Sequence, residues 1–152
     1  MYMDKTANEA FDPLSLDNQL CFALYACSHE VMRRYAPLLA ELDLTYTQYI
    51  AMMALWESEP LSVKELGERL KLDSGTLTPM LKKMEAKGLV SRCRDAKDER
   101  RLVVSLTDEG RGLRESALRV PLEMSKCVDL EPYEAQELHR LLHKVLSSFG
   151  DA

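Results

Sequence analysis

The stretch of sequence that decides the fold is residues 62–88, SVKELGERLKLDSGTLTPMLKKMEAKG. Ser62 is followed three residues later by Glu65, which is the spacing of a capping box at the start of a helix. The pattern predicts a short helix over Val63–Leu70. Only about three residues separate this helix from the next candidate helix, so the two are expected to form a tight corner.

The second helix of this corner has clear start and stop signals. Asp73 and Ser74 are candidate amino-terminal caps, and Gly88 suits the left-handed conformation that ends many helices. Pro79 falls about one turn inside this helix, where its missing N–H removes one hydrogen bond. Two short helices joined by such a turn form a helix-turn-helix, in which the second is the recognition helix that enters a DNA groove.

After Gly88 the hydrophobic period changes from that of a helix to that of a strand. Residues 89–94 and 101–106 predict two strands, and the charged residues 95–100 between them predict a solvated turn. A hairpin in this position is the wing of a winged helix-turn-helix. Other αα-corners followed by a hairpin give the same pattern, but here the pattern coincides with basic charge.

Helices are predicted on both sides of the winged region. They favour a mainly α (α+β) fold with the element order ααααββαα, after a flexible arm over residues 1–14. Before the winged region, Ser15 or Asp17 caps the first helix, Pro37 interrupts it, and Thr45 or Thr47 caps a second helix to Trp56. After the winged region, Thr107 caps a long helix towards Cys127 that is bent at Pro121. Pro132 lies in the first turn of the last helix.

The charge of the chain is divided unevenly. The 152 residues have a net charge of -5, which by itself argues against a nucleic-acid partner. Residues 60–114, however, hold 13 Lys/Arg and 9 Asp/Glu, a net of +4, and the remainder carries -9. Because local field governs binding to phosphate, the basic block is consistent with double-stranded DNA as a partner, although a solvated helical face gives the same count.

The candidate DNA contacts lie on the recognition helix and the wing. Small polar side chains at the start of the helix can approach base edges, and lysines one turn later suit phosphates. An arginine at a wing tip can enter a narrow minor groove, where the negative potential is strongest. The candidates are Ser74, Thr76, Thr78, Pro79, Lys82, Lys83, Arg92, Arg94, Lys97 and Arg100, with Asp98 as a structural residue of the wing. The wing tip also carries Arg101.

Composition sets the expected compartment and assembly. The chain has no apolar run long enough for a membrane span and no signal peptide, which predicts a cytoplasmic protein with reduced thiols and no membrane partner. The first and last two predicted helices carry more apolar face than a lone winged helix can bury. We therefore expect residues 15–58 and 115–150 to form the dimerisation region of a homodimer around a winged region at 59–114, all in one continuous domain.

The four cysteines do not form a metal or cofactor motif. There is no CxxC pair, and His139 and His143 lack a third ligand, so neither a metal nor a cofactor is expected. Cys21 and Cys27 lie six residues apart on one helix, about 9 Å along its axis, which is too far for a disulfide without unfolding. Taken alone, each cysteine is most simply a small apolar side chain.

Six stretches of the chain carry a resemblance, namely LDNQLCFALY (16–25), LTYTQY (44–49), LGERL (66–70), DSGTLTPMLKKME (73–85), GLV (88–90) and DERRLVVSLT (98–107). The last four resemble MarR-type winged-helix regulators. The first two are similar, more narrowly, to the OhrR-type sensors of organic hydroperoxides. The similarity covers about residues 16–148.

The resemblance implies a homodimeric repressor that releases its operator when an organic hydroperoxide oxidises it. Cys21 matches the peroxidatic cysteine, Tyr35 and Tyr46 match its hydrogen-bond donors, and Cys127 matches the resolving cysteine of the two-cysteine branch. An intersubunit disulfide between Cys21 and Cys127 would follow the sulfenic acid. No role is implied for Cys27 or Cys93.

Helix geometry adds one constraint to this resemblance. Tyr35 lies 14 residues after Cys21, or about 21 Å away if the helix is continuous, so the sensing pocket would need two subunits. Two other functions remain open: a repressor that responds to a phenolic or other small ligand, and a thiol peroxidase. The peroxidase is disfavoured because no Arg or Thr stands beside Cys21 to activate a leaving group, and so no enzymatic residue is predicted.

Overall fold

A computed structural model describes residues 11–150; residues 1–10, most of the predicted flexible arm, lie outside the described part. The helices are α1 (Leu20–Ala40), α2 (Tyr46–Glu57), α3 (Val63–Leu70), α4 (Ser74–Ala86), α5 (Asp108–Ala117), α6 (Arg119–Ser125) and α7 (Pro132–Ser148). The strands are β1 (Leu61–Ser62), β2 (Val90–Arg94) and β3 (Leu102–Leu106). The predicted mainly helical winged fold is confirmed, with a short extra strand and a break in the fifth helix.

Side-chain caps start the helices of the winged region where the sequence predicted. Ser62 Oγ accepts the Glu65 N–H at 3.1 Å, and Glu65 Oε2 accepts the Ser62 N–H at 2.8 Å, so the capping box forms. Asp73 Oδ1 accepts the Thr76 N–H at 2.8 Å at the start of α4. Each bond satisfies an N–H that the first turn of a helix leaves free.

The stop signal after α4 also acts as predicted. Gly88 has a φ of +74°, and the Leu89 N–H donates to the Met84 carbonyl at 3.1 Å, which ends the helix and turns the chain into the wing. At the other end of the wing, Thr107 Oγ1 accepts the Gly110 N–H at 3.0 Å and starts α5.

The first helix differs from the prediction at two places. Residues Leu16–Asn18 form a 3-10 turn, so α1 begins at Leu20 rather than near Ser15 or Asp17. The Gln19 side chain bonds to carbonyls in the preceding segment, which stabilises the turn instead of a helix. Pro37 does not interrupt the helix, because α1 continues through it to Ala40 and loses only one backbone hydrogen bond.

The long fifth helix breaks one turn earlier than predicted. The break lies at Leu118, whereas Pro121 is inside α6. Pro121 has no N–H for the Ala117 carbonyl and its ring crowds that carbonyl, so the helical bonding fails in the turn before the proline. The Leu118 N–H bonds instead to the Glu115 carbonyl, 3.3 Å away.

The three strands form an antiparallel sheet in the order β1-β3-β2. Leu61 pairs with Val104 from one side, and Arg92 pairs with Val104 from the other. Strand β1 was not predicted because two residues have no detectable period. It ties the loop before α3 to the central strand of the wing.

Contacts divide the chain into two compact units that meet at Val120 and Pro121 in the sequence. In the first unit, apolar side chains of α1 to α5, the sheet and the first residues of α6 form one core. Fully buried members include Leu39, Met52, Leu55, Leu66, Leu77, Leu81, Met84, Val90, Val104 and Val120. In the part of the chain that the structure describes, no helix has the length and apolar character needed to cross a bilayer.

Candidate functional site

Helix α4 presents a polar face opposite its buried face. Leu77, Leu81 and Met84 are buried in the core, and this anchors the helix along one side. The other side exposes the predicted contact residues: Ser74, Thr76, Pro79, Lys82 and Lys83 are exposed, and Thr78 is half-buried. The structure therefore brings together on one surface the small polar side chains and the lysines that the sequence singled out.

Two aspartates build the tip of the wing. Asp95 Oδ1 accepts the Lys97 N–H and Asp98 Oδ1 accepts the Arg100 N–H, each at 3.0 Å. The Asp98 carbonyl also accepts the Arg101 N–H at 2.9 Å. These bonds hold the turn in shape and leave the Lys97 and Arg100 side chains exposed.

Arg92 differs from the exposed basic residues Arg94, Lys97 and Arg100 of the wing, because a carboxylate engages it. Its guanidinium lies 2.9 Å from Glu85 Oε2, and its backbone N–H donates to Glu85 Oε1 at 3.2 Å. The hydrogen bonds from the Arg92 side chain and backbone lower the pKa of Glu85. Arg92 thus fastens β2 to the end of α4, while Arg94 on the same strand is exposed.

Three tyrosines form a cluster between α1 and α2. The ring centroids of Tyr35 and Tyr46 are 5.0 Å apart, and Tyr49 lies 6.0 Å from Tyr35 and 6.3 Å from Tyr46. Burial, followed by the neighbouring phenols, raises the pKa of Tyr35; burial and Tyr46 raise the pKa of Tyr49. The sequence alone did not single out Tyr49, although its spacing of three from Tyr46 places both on one helix face.

The four cysteines are free and exposed. Cys21 lies in the first turn of α1 and Tyr35 lies in the same unbroken helix. The 14 residues between them correspond to about 21 Å along the axis, so the structure does not bring Cys21 to the tyrosine cluster of its own chain.

Cys127 follows the end of α6 by two residues, and its Sγ lies 3.7 Å from the Glu123 carbonyl oxygen. Cys93 lies on the outer strand β2 of the wing. Within residues 11–150, no three His, Cys, Asp or Glu side chains are arranged to hold a metal ion. His139 and His143 stack on each other, with ring centroids 4.1 Å apart.

A capped helix-turn-helix, a wing with exposed basic residues and a polar recognition face define the class of winged-helix DNA-binding transcription regulators. Comparison with known proteins agrees. The family model described as "Transcriptional regulator SarA/Rot" matches residues 33–116. The organic hydroperoxide resistance transcriptional regulator of Bacillus subtilis is 55% identical over 111 residues, which cover 73% of this chain and 76% of that protein. The chain belongs to the MarR/SarA-type family of winged-helix transcription regulators.

Solved structures of AbfR of Staphylococcus epidermidis show the same fold. Reduced AbfR bound to DNA superposes with a TM-score of 0.77 at 35% identity and covers 88% of this chain and 92% of its own. AbfR with a disulfide formed superposes with a TM-score of 0.64 at 37% identity, over 87% and 93% of the two chains. With these relatives, the predicted DNA-binding transcription regulator is confirmed.

Proposed function

We propose that this protein is a homodimeric repressor that binds its operator when reduced and releases it when an organic hydroperoxide oxidises Cys21. The observation that carries the proposal is the separation of Cys21 from the tyrosine cluster along one unbroken helix. A thiol that reacts with peroxide must be a thiolate, and a thiolate needs hydrogen-bond donors. Donors from a second subunit supply this need, since the chain's own tyrosines are out of reach.

The DNA surface consists of the exposed residues of α4 and the wing. Ser74, Thr76 and Thr78 approach base edges, Pro79 packs beside them, and Lys82 and Lys83 contact phosphates. Arg94, Lys97 and Arg100 of the wing follow the backbone or enter the minor groove. Arg92 belongs to the same predicted surface, and its pairing with Glu85 also holds β2 against α4.

A homodimer accounts for apolar side chains that a single chain leaves exposed. On α1 these are Leu20, Phe22 and Tyr25, and on α7 they are Leu138, Leu141 and Leu146. The exposed apolar side chains of α1 and those of α7 are each available for an interface, and an isologous dimer is the commonest way to bury them. Residues 15–58 and 115–150 then form the dimerisation region, and residues 59–114 form the DNA-binding region.

The first chemical step is oxidation of the thiolate. Cys21 Sγ attacks the distal oxygen of the hydroperoxide, the O–O bond breaks, and the alkoxide leaves as an alcohol after protonation. Cys21 becomes a sulfenic acid. Tyr35 and Tyr46 from the second subunit donate hydrogen bonds to the thiolate beforehand.

The second step forms a disulfide between subunits. The Cys127 thiolate of one chain attacks the sulfenic sulfur of Cys21 in the other, an S–S bond forms, the S–O bond breaks, and the hydroxide leaves as water after protonation by solvent. Bringing the two sulfurs together displaces the dimerisation helices. Because half-sites of an operator are spaced by about 34–36 Å per helical turn, a shift of a few ångströms separates a recognition helix from its groove.

The proposal is tested on Cys21→Ser. A DNA duplex selected from a random pool by the reduced wild-type protein serves as the probe, and cumene hydroperoxide serves as the oxidant. We expect wild type to release the duplex on oxidation and Cys21→Ser to retain it. Cys27→Ser, on the same helix, is the matched control and behaves as wild type. Release that survives the Cys21 replacement contradicts the proposal and favours a bound small ligand as the signal.

A further inference from the structure

Arg101 lies at the tip of the wing, but its side chain engages helix α3. Its Nη2 is 3.1 Å from Glu65 Oε1, and its Nη1 is 3.9 Å from Asp95 Oδ2. Its neighbour Arg100 is exposed and has no ion-pair partner among residues 11–150. Two adjacent arginines of one turn thus have different surroundings, and only one of them is free to meet DNA.

Glu65 connects the wing to the start of the helix-turn-helix. One carboxylate oxygen accepts the Ser62 N–H at 2.8 Å in the capping box, and the other accepts Arg101. Ser62 itself pairs with Val103 of the central strand. The backbone hydrogen bond from Ser62 leads the causes that lower the pKa of Glu65, and Arg101 adds to them.

We propose that Arg101 is a positioning residue, which by pairing with Glu65 fixes the tip of the wing relative to the recognition helix. The inference rests on the proposed DNA surface, because it concerns how two parts of that surface are held together. The hairpin is anchored at its base by β1 and by Arg92, whereas the tip is seven residues long between β2 and β3. Without the Arg101 contact, the tip samples several positions. DNA binding must then order the tip, and the entropic cost of this ordering weakens the affinity for DNA.

The salt dependence of DNA binding separates positioning from direct contact. A side chain that neutralises a phosphate releases a counterion, so removing it lowers the slope of log affinity against log salt by about one. A side chain that only positions the wing leaves the slope unchanged. Arg100→Ala is the matched comparison, since it removes the same charge from the adjacent residue.

We expect Arg101→Ala to bind the selected duplex about threefold to fivefold more weakly, the range of an exposed ion pair, with the wild-type salt slope. Arg101→Lys keeps the positive charge and restores most of the affinity. Arg100→Ala weakens binding and also lowers the slope by about one per wing. Circular dichroism on each variant confirms that the fold is intact, because exposed ion pairs contribute little to folding.

A double-mutant cycle identifies the partner. Glu65→Gln keeps a side chain that serves a capping box but removes the charge that holds Arg101. We expect Glu65→Gln to lose as much affinity as Arg101→Ala, and the double variant to lose no more than either single variant.

Three results overturn the inference: a salt slope that falls in Arg101→Ala as it does in Arg100→Ala, an unchanged affinity in Arg101→Ala, or losses that add in the double variant. Failure of the proposed DNA surface is distinguishable from these results. In that case, Arg100→Ala and Lys82→Ala both bind the duplex with the affinity and salt slope of wild type.

Discussion

At the scale of single residues, the hydroxyl of Tyr35 is the hydrogen-bond donor on which the proposed oxidation depends. Its ring lies against Tyr46 and Tyr49, and its pKa is raised by burial first and by these two phenols next. A phenol already keeps its proton at neutral pH at the ordinary pKa of 10.0, so the Tyr35 hydroxyl can donate a hydrogen bond. In the proposed dimer, the acceptor of that bond is the Cys21 thiolate of the second subunit.

Removing the Tyr35 hydroxyl is therefore expected to slow oxidation without weakening DNA binding. Tyr35→Phe should react with cumene hydroperoxide about tenfold more slowly, because a hydrogen bond to a charged group is lost. The rate is measured by stopping the reaction at successive times and counting the thiols that remain free. Tyr49→Phe, in the same cluster, is the control and should react at nearly the wild-type rate. A wild-type rate in Tyr35→Phe contradicts the role given to that hydroxyl.

Glu59 gives a prediction for stability against pH. Its carboxylate accepts the Leu106 N–H and the Arg111 Nε, each at 2.6 Å. Burial acts to raise its pKa, but these hydrogen bonds together outweigh burial and lower the pKa below its ordinary value of 4.5. The resulting stabilisation is complete above the ordinary value and is lost as the pH falls through the lowered one.

Glu59→Gln should accordingly be less stable than wild type by about 1–2 kcal/mol at pH 7, since a charge-assisted pair is replaced by a neutral one. The difference should shrink as the pH falls below 4.5, the ordinary pKa of the group. Urea unfolding at several pH values measures both. A difference that is the same at pH 7 and at pH 3 is the result that would refute this account of Glu59.

The sequence predicted residues whose role is local and missed those whose role depends on packing. The caps at Ser62, Asp73 and Thr107 were predictable because partner and cap lie within three residues of each other. The partner of Arg101 lies 36 residues away in the sequence, so the sequence could place Arg101 at the wing tip but could not predict its pairing with Glu65. The pairing of Arg92 with Glu85 was not predictable for the same reason, because only the fold places the two side chains together.

At the scale of elements, α5 packs unusually closely against the start of the wing. A Cβ added to Gly110 would lie 2.1 Å from the Leu89 carbonyl oxygen, and the Gly110 carbonyl accepts the Trp56 Nε1–H at 2.8 Å. Gly112, on the same helix, has no atom within 4 Å of such a Cβ. The first glycine is therefore required by close approach, and the second is not.

Two alanine variants test this packing. Gly110→Ala should destabilise the fold by about 3 kcal/mol, because backbone atoms must move apart. Gly112→Ala should leave stability unchanged or raise it by up to about 1 kcal/mol, since alanine favours the helix. Thermal unfolding followed by circular dichroism measures both. Equal effects of the two substitutions would show that α5 does not approach β2 as described.

The elements themselves were predictable to different degrees. Helices α2, α3 and α4 and the hairpin have strong start and stop signals, and they form where expected. Strand β1 has two residues and exists only because β3 lies beside it. The sequence predicts the break at Pro121, but the break lies at Leu118. The reason is that a proline disturbs the hydrogen bond to the carbonyl one turn before it.

At the scale of the whole molecule, the basic charge is concentrated in the winged region, whereas Cys21 and Cys127 lie outside that region. The basic winged region carries +4 within a chain of -5, so the total charge conceals the DNA-binding surface. All four thiols are exposed, and none is needed in the core. The family and the wing were predictable from one sequence. The joining of Cys21 to tyrosines of a second subunit was inferred from helix length, and it is the part that experiment must decide.

The most direct test of the central claim measures mass and DNA affinity on the same sample. Wild-type protein is titrated with cumene hydroperoxide, and each point is divided between non-reducing mass spectrometry and binding to the selected duplex. We predict that a covalent dimer joined by Cys21 and Cys127 appears in step with the loss of affinity, and that a dithiol reverses both. Loss of affinity while both thiols remain free, or a covalent dimer that still binds the duplex with full affinity, would contradict the account.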